Sequence, residues 1–399
     1  MGASVVLGGC VALGLGLVGL PWSGACAFGL GWAASGIVFT AIGAVAAQVT
    51  TSARAAVGLG MTAVGVAYAL RAMGDLAQGD PGLLSWLSPI GWSQQFRPFA
   101  GDRWWVAVLP LLATAVLVPL AFALRSRRDL GSGLIPERPG PPVGRIDGAP
   151  GLAWRLQRGL LLAWLAGAAV MGLALGSIAH NVQGLLDSEQ MRGYLELLGG
   201  EQALTDAFLA AEMALMGAIV AAYGVAATSR LRHEEAAGHA ELILATATGR
   251  VAWAASHFGL ALGGVAAVLL VAGSAVGFSH GTTIADPLGQ TLRMAGAALA
   301  QVPAAWVVAA AVLVLFGWLP RALAAAWGLL VAFIVFGEFG ALWELPDWVL
   351  DLSPFRHSPR LPGAADVGAI AGSLTGLVLV TVVLAAVGFV GWRRRDLHP

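Results

Sequence analysis

Lysine does not occur in this chain; all 22 of its basic residues are arginine. That absence removes two chemistries. A P-loop nucleotide site needs a lysine on its phosphates, and a Schiff-base enzyme needs a lysine amine. Charge of either sign is scarce as well, at 11% of residues against 58% hydrophobic and a mean hydropathy of +0.79. A soluble chain of 399 residues needs far more charge to cover its surface, so the expected class is an all-α polytopic membrane protein. The net charge is zero, which argues against a nucleic-acid partner. Cysteine is nearly missing too. Cys10 sits inside an apolar run and Cys26 at the end of one. Both read as small apolar filler, with no disulfide framework or metal site.

What is present is apolar sequence in helix-length runs. About 20 such residues cross the hydrocarbon core as a helix. Ten candidate spans follow: 3–20, 27–50, 55–74, 105–125, 158–180, 205–228, 252–277, 295–318, 320–337 and 367–391. No basic segment precedes the first, so a cleaved signal peptide is not expected. Only Pro320 and Arg321 separate the eighth from the ninth. With the terminal WRRRDLHP placed in the cytoplasm, fifteen arginines fall on that side and seven on the other. The positive-inside rule therefore predicts a cytoplasmic C-terminus at a bacterial plasma membrane.

Landmarks recur in register. Leu87–Pro89 reappears as Leu352–Pro354, Arg127–Leu130 as Arg394–Leu397, and Arg54 as Arg321, at offsets of 265, 267 and 267 residues. These mark two parallel repeats. The second copy holds six spans and the first only four. An upstream segment of roughly a hundred residues is therefore expected to carry two further spans; the alternative is an asymmetric chain. The expected organisation is 1–130 as an N-terminal half with the last four helices of a repeat, 131–153 as a Pro/Gly-rich cytoplasmic linker, and 154–399 as a complete six-helix half. Trp154 to Arg158 reads as a short amphipathic helix along the membrane surface. The stretch 181–208 reads as an amphipathic outer cap.

The most polar internal run is LRHEEAAGHAELILATATGR, Leu231 to Arg250. It is not a zinc motif, because His233 and His239 are six residues apart and do not share a helical face. As one helix it places Arg232, Glu235 and His239 on one strip and Arg230, Glu234, Gly238 and Glu241 on the next. That pattern suits either a self-paired solvated helix or a docking helix for a cytosolic partner.

The run resembles the cytoplasmic loop of ABC-2-type permeases, most closely the bacterial polyketide-antibiotic exporters that include tetronasin-efflux permeases. The match lies at Arg230, Arg232, Glu234, Glu235, Gly238, Glu241, Leu242, Leu244 and Arg250. His239 stands where arginine is common, and ATATG where ATPVS is common. LSPIGWSQQFRPFAGDRWW and the terminal RRRDL resemble the same family. The resemblance implies two halves of six spans and a coupling helix at 231–250. It implies re-entrant outer loops at 75–104 and 338–366. It also implies a separate cytosolic ATP-binding subunit, as a dimer, that carries the ATP and Mg, while this chain binds no cofactor and has no catalytic residues. The cargo expected is a hydrophobic small molecule entering from membrane lipid.

Within span 205–228, Glu212 is a carboxylate at membrane depth and usually marks a cavity. It is a candidate contact for a cationic or ion-binding substrate, or equally a partner for a neighbouring backbone group or arginine, with Phe208, Met213 and Met216 beside it as pathway or plain core. The rival readings are an ion-coupled secondary transporter, which usually carries several intramembrane acids, and a non-transporting membrane assembly protein.

Overall fold

A peptide group in hydrocarbon has no water to bond, so a chain this apolar must satisfy its backbone internally, and the helix is the form that does so within one segment. The computed structural model describes residues 1–75, 82–126, 148–179, 200–339, 343, 345–363 and 366–396. Among these residues every regular element is helical. Among the described residues, seven helical segments are long and apolar enough to cross a membrane: Trp22–Val49, Trp104–Ser126, Gly148–Ser177, Thr205–Ala236, Arg250–Thr283, Pro287–Trp318 and Val367–Arg394. The protein is an all-α polytopic membrane protein.

Two of the ten expected spans are short helices, Gly2–Leu17 and Ala325–Phe339, while the expected 55–74 lies within the 23-residue helix Ala53–Asp75. At about 1.5 Å per residue the two short ones fall short of the roughly 30 Å hydrocarbon core. The first is cut off by Gly19 at φ +94° and Pro21; the second starts late because Pro320–Ala322 form a 3-10 helix and Leu323 and Ala324 a turn.

The chain divides into two units, Met1–Gly144 and Arg145–Pro399. In the first, α1 (Gly2–Leu17) folds back on α2 (Trp22–Val49), and α3 (Ala53–Asp75) follows. Two short helices, α4 (Leu83–Trp86) and α5 (Pro89–Gln95), then lead into α6 (Val108–Ser126). The second unit contains α7 (Gly148–Ala179), α8 (Gly200–Ala236), α9 (His239–Leu244) and α10 (Arg250–Thr283). It continues with α11 (Pro287–Leu299), α12 (Val302–Trp318), α13 (Ala325–Phe339), the short α14 (Asp347–Leu350) and α15 (Val367–Arg394).

The landmark serines behave alike in the two units. Ser88 Oγ donates to Ala67 O at 2.6 Å, and Ser353 Oγ donates to Phe333 O at 2.8 Å. Each thereby ties a short loop element to the helix that precedes it. Arg127–Leu130 and Leu397 lie outside the described residues, as does the side chain of Arg54.

Two expectations about the second unit change. No separate surface helix forms at Trp154–Arg158, because α7 runs unbroken from Gly148 through both the end of the expected linker and the span. No proline interrupts its ladder after Pro150, and a helix continues where nothing stops it. Conversely, the expected span 295–318 is two helices, with the break at Ala300 and Gln301 just before Pro303. The proline lacks an N–H, so the ladder stops and restarts there. Of the expected outer cap, 181–199 lies outside the described residues, and 200–208 is the start of α8.

Packing depends on small residues. In lipid no hydrophobic force drives helices together, so close backbone approach has to supply the attraction. Gly172 and Gly176 of α7 face Ala275 and Ser279 of α10; a methyl on either glycine would lie 2.8 or 2.9 Å from those β-carbons. On its other side α10 presents Gly273, Gly277 and Gly281 to the backbone of α11. A methyl at Gly277 would meet Thr291 Cα at 2.6 Å. Gly277→Val is therefore expected to destabilise the chain by about 1–3 kcal/mol or more through overpacking. The check is the midpoint of thermal unfolding in detergent, beside Gly263→Val, where nothing lies within 4 Å.

Candidate functional site

The polar run lies where α8 ends and α10 begins. Helix α8 carries Arg230, Arg232, Glu234 and Glu235 in its last turns and stops at Ala236. Gly238 then adopts φ +73°, the left-handed conformation that closes helices and that glycine reaches without strain. The chain restarts as α9 and reaches α10 through Gly249. The single helix expected over this stretch is thus two helices with a turn at Gly238, and the predicted strips hold only within the first.

The acids turn inward. Glu234 Oε1 lies 2.6 Å from Arg230 Nη2, and its Oε2 lies 3.0 Å from His239 Nδ1. Glu235 Oε2 accepts from Arg232 Nη1 at 3.0 Å, while its Oε1 pairs with Arg395 at the end of α15. Only 6% of the Glu235 side chain is exposed. Both carboxylates are therefore satisfied within the chain, and loss of either would strand a cation in a partly dry place.

Arginine and tryptophan complete the cluster. Arg250 Nη1 donates to Arg395 O at 2.7 Å, and Trp392 Nε1 donates back to Arg250 O at 3.0 Å. The Trp392 ring packs on Trp253 at 5.5 Å and on Phe316 at 4.9 Å between centroids. One turn deeper, Gln157 Nε2 of α7 lies 2.9 Å from His257 Nδ1 of α10. Five helices meet here: α7, α8, α10, α12 and α15. Arg395, Trp392 and Phe316 were not singled out as site residues by sequence reasoning. Three consecutive arginines at 393–395 look equivalent, yet Arg393 and Arg394 are exposed and Arg395 is turned in.

What this cluster holds outward is α9. Glu241 is exposed, and Leu242 is 73% exposed beside it, with Ala245, Thr246 and Ala247 continuing the face. Ala240, Ile243 and Leu244 pack inward against the core. Gly238 is the hinge residue and contributes no surface chemistry.

The membrane-depth residues lie in the body of α8. Glu212 is 7% exposed, and its Oε2 has no hydrogen-bond partner among the described residues. Met213 and Met216 are buried in the main core and Phe208 packs against it. At the α11–α12 break, Gln301 is buried; its Nε2 donates to Pro359 O at 3.0 Å, and its Oε1 is without a partner among the described residues. The structure does not join Glu212 to the loop cluster.

Large apolar side chains cover the outward faces of the spans, including Leu111, Leu112, Val116 and Phe122 on α6 and Leu379, Val382 and Val383 on α15. In water such a surface would aggregate; in a bilayer it is the lipid contact.

Residues 146–393 match the family model described as the C-terminal domain of the multidrug efflux system permease Rv1217c. The chain is also similar to the multidrug efflux system permease protein Rv1217c of Mycobacterium tuberculosis (strain ATCC 25618 / H37Rv). The two are 44% identical over 400 residues, which cover all of this chain and 72% of that protein. Polytopic architecture, the matched second unit and whole-chain similarity agree, and the chain belongs to this family of multidrug efflux system permeases.

Proposed function

We propose that this chain is the membrane-spanning permease subunit of an ATP-driven exporter of hydrophobic drugs, of the ABC-2 type and similar to the polyketide-antibiotic exporters. One observation carries the reading. An ordered helix, α9, is braced from behind by ion pairs and presents an exposed leucine where water is expected. A solvated loop has no need of such an arrangement, whereas a docking surface does.

The partner is a cytosolic ATP-binding subunit, a dimer by analogy with the family, and it holds the ATP and Mg. The chain itself has no lysine for a phosphate loop, so hydrolysis belongs to that partner. The arginine balance supports a cytoplasmic α9 and C-terminus in a bacterial cell. The repeated order of elements and the matched bonds of Ser88 and Ser353 support two parallel permease halves, with coupling through 231–250 in the second.

The division of labour within the loop follows from exposure. Glu241 and Leu242 are the docking residues. Arg230, Arg232, Glu234, Glu235 and Arg250 position them, and Gly238 makes the turn. ATP binding by the partner would displace α9, and alternating access would follow as the helices attached to it shift. Glu212, with Phe208, Met213 and Met216, lines the drug path and contacts a cationic group of the cargo.

The test is drug efflux from cells carrying the chain, with ATP and the proton gradient depleted separately, and identification of proteins that co-purify from the membrane. Efflux that follows ATP, with an ATPase retained on the purified chain, supports the reading. Efflux that follows the proton gradient alone would replace it with secondary transport.

A further inference from the structure

We propose that Arg395 fastens the docking loop to the last membrane helix, so that the loop and the ends of α8, α10, α12 and α15 move as one rigid block during transport. This rests on the reading of α9 as the docking site.

One guanidinium reaches three elements. Its Nη2 pairs with Glu235 in the last turn of α8, and its Nη1 donates to Phe316 O of α12 at 2.7 Å. The same group lies over the Phe316 and Trp392 rings, 5.1 Å from each centroid. The main chain of Arg395 then accepts from Arg250, the first residue of α10.

The Phe316 contact has a specific cause. That carbonyl would normally accept from the N–H four residues on, and that residue is Pro320, which has none. Arg395 supplies the missing donor. Arginine suits the place because its planar, rigid fork bonds two acceptors with separate nitrogens while its flat face stacks on the rings, whereas a compact lysine ammonium has no face to stack. Glu235 is shared, since its second oxygen holds Arg232, so the loop is tied to its own helix and to α15 through one carboxylate.

If the tie is rigid, displacement of α9 is delivered to α15. Without it, the loop flexes and the displacement is lost. Arg395→Gln is expected to keep the co-purifying ATPase while drug efflux falls at least tenfold and hydrolysis ceases to respond to drug. A merely structural role would lower the amount of folded chain and leave export per molecule unchanged, so efflux is normalised to chain in the membrane.

The decisive variant is Glu235→Cys/Arg395→Cys in a Cys10→Ser/Cys26→Ser background. A short bis-methanethiosulfonate cross-linker that reductant cleaves replaces the ion pair covalently. Cross-linking is expected to restore efflux, and reduction to remove it. Should Arg395→Gln accumulate poorly, the cross-linked pair carries the test alone. ATP-driven efflux from Arg395→Gln equal to wild type overturns the proposal, as does a cross-linked state that is silent while its reduced form exports. Wild-type efflux that ignores ATP brings down the docking reading as well, and so separates the two failures.

Discussion

Leu242→Asp is expected to abolish co-purification of the ATP-binding subunit and drug efflux together, while the chain remains folded in the membrane. The side chain is 73% exposed, so its replacement breaks no internal packing, and exposed substitutions usually cost under about 0.5 kcal/mol of stability. Docking, by contrast, would bury it. Covering a leucine contributes about 1.5–3 kcal/mol, and burying an unpaired carboxylate in its place costs more. The combined loss corresponds to an affinity about a hundredfold or more weaker. Glu234→Gln supplies the contrast: its carboxylate serves Arg230 and His239 inside the chain, so unfolding temperature should fall first. Measurement of co-purified ATPase and thermal midpoint on both variants separates surface from brace. Equal ATPase recovery with Leu242→Asp would remove α9 as the docking surface.

Glu212→Gln is expected to lower efflux of a cationic dye such as ethidium at least tenfold, leave efflux of an uncharged drug near wild type, and hold or raise the thermal midpoint. The carboxyl is buried in α8, and its Oε2 has no hydrogen-bond partner among the described residues. An unpaired carboxylate in a dry place costs more than a neutral amide of the same shape, so the amide should be tolerated or favoured. A group held at such a cost is commonly held for function. The measurement is efflux of both compounds from cells, with the unfolding midpoint in detergent. Equal losses for charged and uncharged cargo would assign Glu212 to structure instead.

Much of the architecture was legible in one dimension. Hydropathy located every long span because lipid leaves a segment almost no alternative to the helix. It overstated length where Gly19, Pro21 and Pro320 cut two apolar runs short, since a hydropathy sum is blind to where the backbone turns. The glycines of α10 were visible as letters, but which helix they face depends on packing. The polar loop was recognisable from composition and spacing, and its resemblance to a known family supplied a role. Its internal geometry was not. Helical strips assume a continuous helix, and Gly238 ends it midway. Glu234 and Glu235 look like surface acids in sequence, because a charge between two greasy segments is normally solvated.

The sequence by itself determined that this is an α-helical chain for a bilayer, that it lacks the lysine a nucleotide site requires, and where its one concentrated polar loop falls. These are properties of composition and local period, which neighbouring residues decide among themselves. Only the tertiary structure decided which acids of that loop face inward, which leucine faces out, and which of three successive arginines closes the cluster. Glu235 and Arg395 stand 160 residues apart. No local pattern links them; they meet because α8, α12 and α15 end at the same level and a proline leaves one carbonyl there without its donor.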